Sequence, residues 1–175
     1  VVTNTFALNM TGVEIRNGRD ANAPVAIVYT QASLRLTNVV VRNMAATAYT
    51  AAAIWYSGTA VQARGMLQNV LFENCTTSAA SATSALKIMN PAPDFLVQNV
   101  SFVDCTGTTS AYNYAMQVSA TLSTSSINFG GAISFSSTDV HSFPGLLLST
   151  SSSGGVLSVL STTDNPSSLS FTGYD

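Results

Sequence analysis

The chain repeats an alternation. In "QNVLFENC" (68–75), Val70 and Phe72 point one way while Leu71 and Glu73 point the other. "QNVSFVDC" (98–105) does the same with Val100 and Phe102, "TNVVVRNM" (37–44) with Val39 and Val41, and "TGVEIRNG" (11–18) with Val13 and Ile15. A period of two is the mark of a strand, and Val, Ile, Thr, Phe and Tyr favour strands. The central valines fall at Val13, Val39, Val70 and Val100, in steps of 26, 31 and 30 residues. A second series lies between them: "VAIVY" (25–29), "AAIWY" (52–56), "ALKIM" (85–89), "AMQVS" (115–119) and "LLLST" (146–150). After residue 120 the first series weakens to "SINFGGAISFSS" (126–137) and "SVLSTTDNPSSLSF" (158–171). Only Ala45 to Ala53 has any helical character, and its Thr47, Tyr49 and Thr50 argue against a helix.

Two interleaved strand series with one shared period of roughly 30 residues predict an all-β solenoid of about six coils. Each coil lays its strands parallel to those of the coil before, and neighbouring coils bury a continuous core. A β-sandwich of short strands would leave the in-register recurrence unexplained. The expectation is a single domain over 1–175, with the strongest repeats in 11–120 and weaker coils in 121–175. The chain starts at Val1 rather than Met. Neither "VVTNTFALNM" nor "SSLSFTGYD" offers a polar or helical cap. The segment is therefore expected to belong to a longer β-helix or to stack end to end with identical chains. Its expected partners are further β-coils, with carbohydrate as an additional candidate.

Composition narrows the setting. Apolar residues make up 46% and charged residues only 8%, with a net charge of -2. The six Lys/Arg are scattered, so no basic patch for nucleic acid forms. No apolar run approaches the ~20 residues that span a bilayer as a helix. Solubility must come from hydroxyls, amides or attached sugar. This Ser/Thr-rich, Lys-poor composition points to an extracellular or cell-surface location. Three N-glycosylation sequons fit that setting, at Asn9, Asn74 and Asn99, with Asn9 preferred. Cys75 and Cys105 are 30 residues apart, at the same place in the repeat. Stacked strands ~4.8 Å apart lie within disulfide reach, so a bridge between adjacent coils is expected. The alternative is two stacked, reduced thiols.

"TNVVVRNM", "QNVLFENC" and "QNVSFVDC" resemble the right-handed parallel β-helix group, the pectin-lyase-like superfamily. The resemblance implies a right-handed parallel β-helix with inward asparagines at the turns, hydrogen-bonded into ladders along the axis. Asn38, Asn69 and Asn99 occupy equivalent positions for one ladder, and Asn17, Asn43, Asn74 and Asp104 for another. A second, partial resemblance is to the chlamydial polymorphic membrane proteins. "GGAI" occurs at Gly130 to Ile133, while "FENC" and "FVDC" replace the Phe-x-x-Asn of that family. It implies adhesive or surface-shaft roles.

The superfamily resemblance also brings polysaccharide lyases and glycoside hydrolases into view. Those enzymes need clustered carboxylates, with Ca2+ and a basic residue for a lyase. The eight acids here lie about one per coil, and only Glu73 and Asp104 are placed to come near each other. Glu73 aligns with Arg42 and Arg16, which reads as an outward ion-pair column. His141, the only histidine, sits two residues from Asp139 without a Gly-x-Ser-x-Gly elbow, and reads as a turn or surface residue. Two Cys and one His do not make a structural zinc site. No catalytic residue, metal site or cofactor is assigned. Trp55 and Tyr56 lie in one strand and face opposite ways. Trp55 is expected in the core and Tyr56 outside, where Tyr49, Tyr112 and Tyr114 would extend an aromatic strip. The leading expectation is a non-enzymatic extracellular structural or adhesive shaft. A polysaccharide-active enzyme and a carbohydrate-binding surface are the alternatives.

Overall fold

A computed structural model describes residues 2–4, 7–20, 27–30, 33–47, 53–57, 64–78, 82–107, 114–121, 125–141, 145–150, 156–161 and 168–174. The first coil holds β1 (Val2–Asn4), β2 (Leu8–Thr11), β3 (Glu14–Arg16) and β4 (Arg19–Asp20). The next holds β5 (Ile27–Thr30), β6 (Ser33–Arg42) and β7 (Ala45–Ala46). Then come β8 (Ile54–Ser57), β9 (Arg64–Glu73) and β10 (Thr76–Thr77), followed by β11 (Thr83–Met89), β12 (Leu96–Val103) and β13 (Thr106–Gly107). The chain continues through β14 (Tyr114–Ala120), β15 (Ser125–His141), β16 (Leu146–Thr150), β17 (Leu157–Ser161) and β18 (Ser168–Tyr174).

Every strand pairs in parallel with its counterpart one coil away, giving a β-solenoid of roughly 31-residue period. Three sheets form its sides. The first runs β1-β5-β8-β11-β14-β16. The second runs β17-β15-β12-β9-β6-β2, with β3 and β18 joined to it. The third is the short β13-β10-β7-β4. The two sequence series are thus the first two sheets. The solenoid makes about three turns rather than the six expected. Its regular three-sided turns are those of β5–β7, β8–β10 and β11–β13. Among the described residues no short third-sheet strand follows β13, and β15 continues for 17 residues through its own left-handed position at Gly131. Ala45 and Ala46 are strand, while 48–52 lie outside the described residues.

The core is a set of columns that climb the axis. Val39, Val70, Val100 and Ile133 form one, and Leu36, Leu67, Val97 and Phe129 another. In a third, Val41 leads into Phe72, Phe102, Phe135 and Phe171. Successive rings in that column are nearly parallel and stacked, with centroids 5.1, 4.8 and 4.9 Å apart. The separation equals the rung spacing, so in-register strands impose offset stacking on any aromatic column.

Alternation alone does not put Leu36 and Val39 on the same side, since they are three residues apart. The left-handed residue between them does. Asn38, Asn69 and Asn99 have φ of 54°, 54° and 51°, and Gly12 and Gly131 take 66° and 62° on either side of them. Such a residue shifts the alternation by one, so that inward positions resume after it. A second corner of this kind, at Asn17, Asn43, Asn74 and Asp104, turns the chain from the second sheet into the third. Among the described residues, all eight non-glycine positions with positive φ are Asn or Asp, the side chains that best tolerate that region.

Candidate functional site

The expected ladders exist, but they are outward. Asn38, Asn69 and Asn99 are exposed. Asn69 Nδ2 donates to Asn38 Oδ1 at 2.9 Å, and Asn99 Nδ2 to Asn69 Oδ1 at 3.1 Å. The amide of Ala132 caps the series by donating to Asn99 Oδ1. In the second corner, Asn43 donates to Asn17 at 3.0 Å and Asn74 to Asn43 at 2.9 Å. Asp104 cannot continue that run, because a carboxylate has no donor for Asn74. It accepts instead from the backbone and hydroxyl of Thr138 in the next coil, at 2.7 and 3.0 Å. The left-handed backbone turns these side chains outward, which the sequence pattern did not reveal. Of the sequons, Asn74 and Asn99 use their amide nitrogens in the ladders, whereas Asn9 is exposed on β2.

Cys75 and Cys105 stack in adjacent coils as anticipated, yet no disulfide is seen: both are free, fully buried thiols. In-register residues project side by side, and here each sulfur turns to a carbonyl. Cys75 Sγ lies 3.7 Å from Glu73 O and Cys105 Sγ 3.5 Å from Val103 O. Burial, and next to it the Cys75 thiol, push the Cys105 thiol up.

Glu73 and Asp104 border one outer groove with Arg42, Asn74, Thr106 and Thr138. Glu73 is committed to Arg42, 3.4 Å away, and Glu14 reaches the same guanidinium at 3.2 Å. Glu14 was not foreseen here, because its register partner is Val40. The Glu14 contact lies off the N–H axis, so Arg42 Nε makes no directed hydrogen bond. These half-exposed pairs contribute about 0–1 kcal/mol each. No group of three or more His, Cys, Asp or Glu converges among the described residues. The side chains of Asp139 and His141, and all of Tyr49 and Tyr112, lie outside the described residues.

Trp55 and Tyr56 are reversed from expectation. Tyr56 is fully buried, and its hydroxyl accepts from the Arg64 amide at 3.0 Å and donates to the Arg64 carbonyl. This polar handle lets a tyrosine fill the core beside Phe95. Trp55 is the outward residue, half-buried, with Nε1 3.4 Å from Met89 Sδ. It pairs in register with Lys87, which in turn pairs with Gln117. Burial lowers the Lys87 pKa.

The last coil is different in kind. Leu169 is 48% exposed, Phe171 47% and Val159 43%, although Val159, Leu169 and Phe171 stand in register with buried Ile127, Ile133 and Phe135. Core columns thus run straight into an open face, edged by β16, β17 and β18.

No family model, curated protein or solved structure matches the chain. The class that can be stated is architectural: an all-β parallel solenoid.

Proposed function

We propose that this chain is a non-enzymatic structural element, a segment of an extracellular or cell-surface shaft whose partners are further parallel β-coils. The observation that carries this reading is the open end of the core. Phe171 stacks on Phe135 on one side and is 47% exposed, and among the described residues no strand pairs with the outer edges of β16, β17 and β18. Only another parallel coil satisfies the strand edges and continues the apolar columns together. Contact between two unlike ends does not close on itself, so identical chains would build a filament. The Ser-, Thr- and Asn-rich exterior and the sequon at exposed Asn9 support the location.

Light scattering on the 175-residue chain tests the reading. Mass is expected to rise with concentration, and Leu169→Asp with Phe171→Asp to return it to monomer. A stable monomer at high concentration, or association indifferent to both substitutions, would sink the reading.

The outward Trp55, in register with Lys87 and Gln117, favours a second reading: carbohydrate contact on the outer face of the first sheet. Trp55 is the chain's single tryptophan. Its fluorescence should shift on titration with soluble acidic or neutral polysaccharides if that face takes sugar.

A further inference from the structure

Six Lys/Arg serve the whole chain, and two of them share one groove without an acidic partner. The groove lies on the second sheet near the start of its strands and encloses about 500 Å3. Its residues come from four successive coils, so it runs along the axis for about 14 Å, three rung spacings. Arg35 and Arg64 are both exposed, on neighbouring strands β6 and β9. Arg35 pairs in register with Met66, two residues along β9 from Arg64, and Met66 pairs with Leu96. An apolar strip of Met66 and Leu96 thus lies beside both cations, with half-buried Leu8 at the far end. Arg16 and Arg42 are tied to Glu14 and Glu73, but neither Arg35 nor Arg64 makes an ion pair among the described residues. Asp94 borders the groove and still does not pair with either.

Gly65, between outward Arg64 and Met66, stands in register with buried Leu34 and faces the core beneath the groove. A Cβ there would lie 2.3 Å from the Leu34 carbonyl oxygen and 3.2 Å from the Phe95 ring. No side chain fits between these coils.

We infer that the groove is a binding site for a singly anionic amphiphile, a ligand with one oxyanion held by Arg35 and Arg64 and an apolar body lying on Met66 and Leu96. Guanidinium groups match the geometry of carboxylate, sulfate and phosphate oxygens alike. The apolar strip gains from covering a hydrocarbon surface. Asp94 repels a second negative charge, which disfavours polyanions. The inference does not depend on the shaft reading, since the groove lies away from the open end.

Octanoate and octyl sulfate, below the concentrations at which they form micelles, are the probes. Octanol is the neutral control, and backbone amide shifts give both affinity and location. Both anions should bind with shifts around Gly65 and Met66, and octanol at least tenfold more weakly. Arg35→Gln and Arg64→Gln should each weaken octanoate by about tenfold, the loss of one charge-assisted hydrogen bond. Arg19→Gln, on β4, should change nothing. Both groove arginines are exposed and unpaired, so the variants should keep the parent urea midpoint. Added salt should weaken octanoate more than octanol, a check that needs no variant. Preference for octanoate would identify a carboxylate ligand, and preference for octyl sulfate a sulfate or phosphate ester. The inference is overturned if octanol binds as tightly as octanoate, if the arginine variants bind normally, or if the shifts fall on Leu169 and Phe171. The Leu169→Asp, Phe171→Asp chain should retain octanoate binding, which separates this result from the test of association.

Discussion

At the scale of single residues, the fold rests on positions where the backbone does something uncommon. Asn69 holds a left-handed φ of 54° and bonds to the coils on both sides. Ala at this position meets the left-handed penalty of about 1–2 kcal/mol and also loses the ladder bonds. Gly loses only the bonds. Urea unfolding should therefore rank Asn69 above Asn69→Gly, and Asn69→Gly above Asn69→Ala. The reverse order for the two variants would mean that the ladder, not the backbone, sets the asparagine requirement. Gly65→Ala is a different kind of change, because its φ is ordinary and the obstacle is a backbone carbonyl that cannot step aside. Overpacking of this kind costs roughly 1–3 kcal/mol, read as a lowered urea midpoint.

At the scale of elements, strands stacked in register bring like residues together, with chemical consequences. Lys87 on β11 is half-buried, and burial holds its pKa below the ordinary 10.5. Between the folded and unfolded values the unfolded chain binds more protons, so stability rises with pH through that window. Below it the desolvation penalty is fully present. Lys87→Met should therefore be more stable than the parent at neutral pH, with the advantage fading as pH approaches 10.5 in paired urea titrations. Cys75 and Cys105 make a second pair of neighbours. Their burial and the raised Cys105 pKa leave little thiolate to react. Native chain should resist alkylation at neutral pH, and denatured chain should take up two labels; uptake of none after denaturation would mean the thiols had been lost to oxidation. These elements also show what the sequence discloses. The Val70/Val100 and Phe72/Phe102 spacing was enough to place two sheets, their parallel order and the asparagine corners, because period and phase are carried by residue type. The direction of those asparagines was not legible, since a left-handed residue reverses the side its neighbours would predict. Trp55 and Tyr56 exchange faces for a different reason: strict alternation allows either face, and the Arg64 backbone, a remote partner for the tyrosine hydroxyl, lets Tyr56 take the inner one. The Arg35 and Arg64 groove gave no signal, because its residues are 29 apart and share no repeat position.

At the scale of the whole molecule, the axis carries a sense. On the proposed shaft reading the open face at Phe171 is covered by a further coil, so the Leu169→Asp, Phe171→Asp chain should stay monomeric at concentrations where the parent associates. The outward corners add a mechanical consequence. Up to Asn74, the coils of the second corner are tied by amide-to-amide links in series, each donated toward the preceding coil. Asp104 interrupts the series with a group that can only accept, and its own link runs forward to Thr138. Under tension along the axis, load at this corner passes from Asn17 to Asn74 and there loses its side-chain path, leaving the Asn69–Asn99 and Gln68–Gln98 links to tie the next coil. Asp104→Asn should add a further tie between these two coils and raise the force needed to separate them.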